Sequence, residues 1–169
     1  MKLSPLDSQQ LLELAAGWLS QPENAQWLDT GDGRPVLGAA WLKILTQRDT
    51  HLLRVFGGEG DSPPVGLIAL SEISRRFRTA RIWVVVGDRS FRARGYGTYA
   101  TEAMLTMAFG ELGLRSVNTW IVDGNPSQRI AERLGFTFIG RQRQCHFIDG
   151  QLRDRLWFDI LAAEHMEHR

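Results

Sequence analysis

The 169-residue sequence has one cysteine, Cys145, so it can form no internal disulfide and fits a reducing compartment. No apolar run approaches the roughly 20 residues that a membrane-spanning helix needs, and the N-terminal stretch MKLSPLDSQQ has no apolar signal core. Excess charge is also missing, because 20 Lys and Arg oppose 19 Asp and Glu for a net charge of +1. Bulk charge gives no reason to expect nucleic-acid or membrane binding, and we expect a soluble cytoplasmic protein.

What remains is the composition of an ordinary globular domain. Hydrophobic residues make up 43% of the chain and charged residues 23%. A chain of this length can bury a core that needs no disulfides to hold it. We therefore predict a single domain over residues 1–169.

Apolar periodicity predicts an α/β chain. Helical spacing predicts helices over 8–19, 36–45, 99–112 and 125–134. Alternating and β-branched runs predict strands over 51–56, 65–73, 79–87, 116–122 and 153–161, with 136–148 as one bent strand or two. The first strands would form an antiparallel meander, and helices would lead to the later strands. The C-terminal His165 and His168 are expected to lie in a frayed tail.

Residues 92–98, RARGYGT, set two fixed positive charges beside two flexible glycines, with no acidic residue among them. Glycines one residue apart let a backbone approach a ligand or adopt φ > 0, and the arginines indicate an anionic ligand. One interpretation is a helix N-terminus with a glycine-rich entry and no ligand. A second is a dinucleotide fingerprint, since residues 95–100 fit G-x-G-x-x-A and Asp123 ends the next strand. Position weakens it, because these glycines come several residues after the preceding strand ends.

The third interpretation is a loop that holds the pyrophosphate of coenzyme A. The pattern Arg92-x-x-Gly95-x-Gly97 would open a helix whose free N–H groups and positive dipole end point at the phosphates. Arg92 and Arg94 would add charge-assisted hydrogen bonds to the phosphate oxygens.

The surrounding sequence resembles the GNAT superfamily of acyl-CoA-dependent N-acetyltransferases. The resemblance lies in GDRSFRARGYGTYATEAM (87–104), followed by a strand and NPSQRIAERLGF (125–136). The run GRQRQCHFIDGQLRD (140–154) is similar to the RimJ/RimL-like branch of that superfamily. The resemblance implies a mixed, mostly antiparallel central sheet flanked by helices, with a splayed parallel strand pair at the cofactor site.

The resemblance also implies the residues that bind acetyl-CoA. Backbone groups of Val85, Val86 and Gly87 would pair with the pantetheine arm like an added strand. The pyrophosphate would be held by Arg92, Arg94, Gly95, Tyr96, Gly97 and Thr98. Asn125 would contact the pantetheine arm near the second helix. The resemblance implies no metal.

Two side chains are candidate catalytic groups by the same resemblance. Many relatives have a tyrosine four residues before the Gly-Phe pair, acting as an acid toward the departing thiolate, but here that residue is Ala131. Ser127 is the natural replacement as the acid, and its alternative role is to cap a helix N–H. Glu72, before the arginine-rich turn, is the candidate base acting through water. Its alternative role is a solvent-facing residue on a half-exposed strand.

The implied function is transfer of an acetyl group from acetyl-CoA to a primary amine by direct attack. The acceptor could be a peptide N-terminus, an amino sugar, an antibiotic or a polyamine, and a homodimer is left open. At pH 7, deprotonating a polyamine nitrogen with a pKa near ~10.4 costs roughly 4–5 kcal/mol, whereas an α-amine near ~7.7–8.0 costs about 1 kcal/mol. With one base candidate and no tyrosine acid, the acceptors of lower pKa are favoured. The rival functions are a non-catalytic acyl-CoA sensor and a dinucleotide-binding oxidoreductase.

Overall fold

A computed structural model describes residues 2–29, 38–57 and 62–167. The strands are β1 Ser4–Pro5, β2 Leu52–Phe56, β3 Gly66–Ser74, β4 Thr79–Val86, β5 Ser116–Val122, β6 Thr137–Ile148 and β7 Gln151–Leu161. The helices are α1 Gln9–Ser20, α2 Pro22–Ala25, α3 Ala39–Thr46, α4 Tyr96–Gly110, α5 Gln128–Arg133 and α6 Ala162–Glu167, with a 3-10 turn at Arg89–Phe91.

The strands form one sheet in the order β1-β2-β3-β4-β5-β7-β6. Neighbouring strands are antiparallel except β4 and β5, which are parallel. These two strands pair where Thr79–Arg81 meet Ser116–Asn118. Beyond that register β4 continues to Val86 and β5 to Val122 without pairing between their described residues. The predicted mixed, mostly antiparallel sheet with a splayed parallel strand pair is confirmed.

Helices cover both faces of the sheet because successive strand residues point to opposite sides. On β4, Ala80 and Ile82 belong to the core cluster that includes Met104 of α4. On the other face, Val85 belongs to the second cluster, which α1 and α3 complete, and the partly buried Trp83 packs against it. The strand beside the splay is therefore packed from both sides, and its backbone is held in place for whatever binds along its open edge.

Most predicted elements agree with the structure to within a few residues. The helix predicted over 99–112 begins earlier, at Tyr96, because the glycine-rich stretch 92–98, here called the glycine loop, leads directly into it. Residues 36 and 37 of the predicted second helix lie outside the described residues, and the rest of it forms α3. The stretch predicted as one bent strand or two is the single strand β6, whose register shifts mark the bends.

The C-terminal segment differs from the prediction. Residues 162–167 form α6 rather than a frayed tail, and His165 is buried. Its imidazole Nε2 lies 3.2 Å from the Thr106 hydroxyl, and its ring packs on Phe109 of α4. The sequence pattern missed this helix because it is short and stabilised by contacts with a distant helix. His168 lies outside the described residues.

We expect Gly66→Ala, at the start of β3, to destabilise the fold. A Cβ added at Gly66 would lie 2.5 Å from the Val85 carbonyl oxygen and would overlap the Phe56 ring. Overpacking of this kind costs about 1–3 kcal/mol, and a domain of this size loses roughly 2–4 °C of melting temperature per kcal/mol. The control in a thermal melt is Gly17→Ala in α1, where nothing lies within 4 Å of an added Cβ. Equal melting temperatures for the two variants would contradict this packing.

Candidate functional site

The open edge of β4 lies at the splay. Val85 packs toward α1 and Val86 toward α4, which leaves their main-chain groups in the plane of the sheet. Gly87 follows the strand, and a Cβ there would collide with the indole of Trp18 in α1. Close packing against Trp18 therefore requires a glycine at position 87. The edge of β4 beyond Arg81 has no strand partner, so an extended ligand could pair with it as an added strand would.

The glycine loop connects this edge to α4. After the 3-10 turn, Ala93 adopts φ +58° and Gly95 adopts φ +85°, and α4 begins at Tyr96. Gly95 is the N-cap and has no side chain to satisfy the first N–H groups of the helix. The N–H groups of Tyr96, Gly97 and Thr98 are therefore the unpaired donors of a helix N-terminus. Such an arrangement attracts an anion.

The two glycines have different roles. The left-handed backbone that the sequence allowed for either glycine occurs at Gly95, and Gly97 lies inside the first turn of α4. A Cβ added at Gly97 would lie 2.9 Å from Ile130 Cδ1 and 3.7 Å from Val86 Cγ2. Gly97 therefore lets α4 approach α5 and β4 closely, which places the N-terminus of α4 at the open strand edge.

The charged side chains of the loop lie at its surface. Arg94 stacks over Phe91 with its guanidinium carbon 5.6 Å from the ring centroid, and Arg92 donates from Nη2 to Asn24 Oδ1 at 2.6 Å. Asp88 accepts hydrogen bonds from the hydroxyl and the N–H of Ser90. These bonds, together with the charges of Arg92 and Arg94, lower the pKa of Asp88 below its usual value. The loop thus carries two cations, held by separate contacts.

Asn125 and Ser127 lie where β5 turns into α5. Asn125 Oδ1 accepts from the Ser127 N–H at 2.9 Å, which fixes the start of the helix. The Ser127 hydroxyl makes no cap hydrogen bond to α5, so Ser127 does not have the alternative role of a capping side chain. The contact of Ile130 with Gly97 places this corner beside the first turn of α4.

Glu72 lies in an irregular part of β3, where the register with β4 shifts between Ser71 and Ser74. It adopts φ +52°, its side chain is 63% exposed, and its carboxylate accepts from Arg81 Nη1 at 2.8 Å. Arg81 is the last β4 residue paired with β5, so Glu72 is held one side chain away from the point where the strands part. A strained backbone at a non-glycine residue is a feature that often accompanies function.

A further cluster beside the splay was not predicted. The Arg155 guanidinium lies 4.0 Å from the centroid of the Trp120 ring, and it donates to His146 Nδ1 and to Asp29. The His146 Nε2 lies 2.7 Å from the Gln26 carbonyl oxygen. These contacts fasten the segment after α2 to β5, β6 and β7. No spacing in the sequence could reveal the two contacts to that segment, because their partners are 120 and 126 residues apart along the chain.

The basic turn between β3 and β4 lies away from the glycine loop. Arg75 and Arg78 line a cavity of about 440 Å³ together with His51, Ile73 and Leu112. None of the predicted cofactor-binding residues lines this cavity. The cavity beside this turn is therefore separate from the predicted cofactor-binding residues.

No helix in the described ranges is long and apolar enough to cross a membrane. Among those same residues, no group of three or more His, Cys, Asp and Glu side chains is placed to hold a metal ion.

The chain is similar to known proteins in its family and its fold. The model of the acetyltransferase (GNAT) domain family matches residues 1–137. The chain is similar to the putative ribosomal N-acetyltransferase YdaF of Bacillus subtilis, with 28% identity over 175 residues, 96% of this chain and 90% of that protein. It is also similar to the SPbeta prophage-derived uncharacterized N-acetyltransferase YokL of the same bacterium, with 28% identity over 125 residues, 73% of this chain and 69% of that protein.

Solved structures of low sequence identity share the fold. The spermidine N-acetyltransferase from Vibrio cholerae in complex with CoA and spermine superposes with a TM-score of 0.85 at 18% identity. The alignment covers 98% of this chain and 97% of that one. At this identity the likeness concerns the architecture of the chain and not its acceptor.

Proposed function

Because the chain belongs to the acetyltransferase (GNAT) domain family, and is thus an acetyl-CoA-dependent N-acetyltransferase, we propose that it acetylates a primary amine by direct attack at the splay of β4 and β5. The proposal rests on one observation: the unpaired strand edge and the free helix N-terminus are adjacent along the chain. The unpaired edge of β4 ends at Val86, and the unpaired N–H groups of α4 begin at Tyr96, one loop later.

In this proposal the loop and the strand edge divide the binding of coenzyme A. The main chain of Val85, Val86 and Gly87 pairs with the pantetheine arm along the edge of β4 that has no strand partner, although the Gly87 N–H is not among the free donors because it donates to the Val65 carbonyl oxygen at 2.9 Å. The first turn of α4 takes the pyrophosphate, with Arg92 and Arg94 adding charge-assisted hydrogen bonds. The Asn125 amide, whose Oδ1 is already used by Ser127, contacts the arm through Nδ2.

The chain's own groups would carry the chemistry as follows. Acetyl-CoA supplies the thioester that the amine attacks. Main-chain N–H groups on the open edge of β4 polarise the carbonyl. The amine nitrogen bonds to the thioester carbon and the C–S bond breaks. Glu72 accepts the amine proton through a water molecule, and the Ser127 hydroxyl gives a proton to the thiolate that leaves and takes one back from solvent.

The acceptor we favour is an amine of modest pKa, such as a peptide N-terminus or an amino sugar. At pH 7, an α-amine near ~7.7–8.0 loses its proton about 3–4 kcal/mol more cheaply than a polyamine nitrogen near ~10.4. The exposed Glu72 carboxylate is paired with Arg81, and Ala131 stands where many relatives have a tyrosine acid. The putative ribosomal acetyltransferase relative supports a protein N-terminus, and the spermidine acetyltransferase of the same fold makes polyamines the comparison to test.

A thiol-release assay with acetyl-CoA and a panel of amines tests the proposal. The panel contains Ser- and Ala-starting peptides, glucosamine, an aminoglycoside, spermidine and spermine. We expect turnover with at least one amine and higher kcat/KM for the acceptors of lower pKa. Binding of coenzyme A without thiol release in the presence of any amine would instead favour an acyl-CoA sensor. This sensor is the second candidate because Ala131 stands where many relatives have a tyrosine acid.

We predict that Glu72→Gln lowers kcat/KM most for acceptors of high pKa. Loss of the proton acceptor matters most where the amine holds its proton tightly, and positioned acid–base groups contribute roughly 10²–10⁴-fold. Spermidine and an Ala-starting peptide are therefore compared in the same variant. Glu111→Gln, an exposed residue at the end of α4, is the control for the loss of one negative charge. Equal losses for both acceptors, or none, would assign Glu72 to structure alone.

A further inference from the structure

Asn24 is a buried polar residue that connects the N-terminal helices to the glycine loop. It lies in α2, and only 6% of its surface is exposed. Its Nδ2 donates to the Trp18 carbonyl oxygen at 2.9 Å and to Gln21 Oε1 at 3.2 Å. These two acceptors fix which way the amide faces, because only Nδ2 can donate. Oδ1 is therefore turned toward the loop, where it accepts from Arg92 Nη2 at 2.6 Å.

Arg92 has no second anchor in the part of the chain that the structure describes. It follows the 3-10 turn in extended conformation, with φ −67° and ψ 155°. Its Nη2 is bound to Asn24, whereas Nε and Nη1 have no acceptor among the described residues. A guanidinium held by one nitrogen keeps its remaining donors and its charge for a phosphate oxygen.

The same corner of the molecule also contacts the end of β4. The Trp18 indole packs on Gly87, where an added Cβ would overlap it. The carbonyl of this same Trp18 is the acceptor that orients Asn24. The turn from α1 to α2 therefore touches the coenzyme site twice, once at the strand edge and once at the loop.

We propose that Asn24 is a positioning residue for coenzyme A: it holds the Arg92 guanidinium beside the glycine loop in the orientation that binds the pyrophosphate. This rests on the proposed function of the loop. A long, flexible arginine side chain loses rotamer entropy when it binds a phosphate. A neutral acceptor that fixes the side chain beforehand reduces that cost without cancelling the charge.

A double-mutant cycle on the dissociation constant of coenzyme A, measured by calorimetry, tests this role. A charge-assisted contact is worth about 1.5–3 kcal/mol, so Arg92→Ala should raise Kd roughly tenfold or more at 1.4 kcal/mol per factor of ten. Asn24→Ala should raise Kd by about threefold to fivefold, since it loosens the contact but leaves the charge. In the Arg92→Ala background, Asn24→Ala should have almost no further effect, because residues that act as a unit are not additive.

Arg94 provides the matched control. It lies in the same loop but stacks on Phe91 and does not contact Asn24. Asn24→Ala should therefore raise Kd by the same factor in the Arg94→Ala background as in the native protein. Should Asn24→Ala prevent folding, Asn24→Ser replaces it: a hydroxyl keeps one donor for the Trp18 carbonyl oxygen but is shorter than the amide and no longer reaches Arg92, so Kd should rise in the native background and not in Arg92→Ala.

Different outcomes separate the two proposals. If Asn24→Ala weakens binding equally with and without Arg92, Asn24 acts only on the fold and the positioning role is wrong. The positioning role is also wrong if Arg92→Ala leaves Kd unchanged while Arg94→Ala raises it, although the loop still binds the phosphates. If neither arginine variant nor a substitution at Gly95 changes Kd, the proposed pyrophosphate site itself is overturned.

Discussion

Gly95→Val is expected to remove most of the thermal stabilisation that coenzyme A gives this protein. Gly95 adopts φ +85° at the N-cap of α4, and a left-handed backbone costs a residue with a Cβ roughly 1–2 kcal/mol, more if it is β-branched. The loop would relax to another conformation and turn the first N–H groups of α4 away from the phosphates. The cost of restoring the left-handed backbone, added to the loss of the N–H contacts with the phosphates, worth about 1.5–3 kcal/mol, amounts to a fall in affinity for coenzyme A of about 100-fold.

The measurement is the shift in melting temperature with coenzyme A at 100 times the native dissociation constant. A hundredfold loss of affinity leaves only RT ln 2, about 0.4 kcal/mol of stabilisation, or roughly 1–2 °C. Gly110→Val is the matched control, because it makes the same change at the last residue of α4, where nothing lies within 4 Å of an added Cβ. It should keep the full shift. A full shift in Gly95→Val as well would mean that the loop conformation does not matter for binding.

The second large effect is expected for Ser127→Ala, which should lower kcat by about 10²-fold, the lower end of what a positioned acid supplies. The Ser127 hydroxyl makes no cap hydrogen bond to α5, so its removal should leave the helix and the affinity for coenzyme A nearly unchanged. A lower kcat at constant Kd is the signature of a group that acts in the transition state.

Gln128→Ala is the control in the same helix. Its side chain donates to Glu132 at 3.0 Å in an exposed position, a pair worth about 0.2–0.5 kcal/mol, so kcat should stay near the native value. If Ser127→Ala instead weakens coenzyme A binding at constant kcat, Ser127 is a binding residue and the proton comes from elsewhere. The comparison is made at saturating acetyl-CoA, so that the two effects are separated.

The parts of the fold that were predicted correctly depend on local signals. The strand β4 and the helix α4 each have a continuous apolar pattern, and the Arg-Gly loop between them is written in seven consecutive residues. Asp149 and Gly150, both with φ > 0, connect β6 to β7, and Asp-Gly is a dipeptide typical of such hairpin turns. The existence of the splay came from family resemblance, because no local pattern distinguishes a paired strand from an unpaired one.

The parts that could not be predicted depend on distant contacts or on backbone irregularity. Asn24 and Arg92 are 68 residues apart, and nothing in either neighbourhood indicates the other. Glu72 breaks the alternation of β3, because the register shift and its positive φ change the direction of its side chain. Position 97 is a glycine because a side chain there would collide with Ile130. The sequence alone does not distinguish this packing requirement from a requirement for left-handed backbone.

The central claim, that residues 92–98 and the open edge of β4 bind coenzyme A, is tested most directly by a thermal melt of the native protein. Coenzyme A at 100 times its dissociation constant should add roughly 2.7 kcal/mol of stability, which raises the melting temperature of a domain this size by about 5–10 °C. Dephospho-coenzyme A should keep most of this shift, because it retains both the pyrophosphate and the pantetheine arm that the proposed site binds, and NADH, which has a pyrophosphate but no pantetheine arm, should give a much smaller one. A protein that melts at the same temperature with and without millimolar coenzyme A, and is stabilised by NADH, would contradict the account.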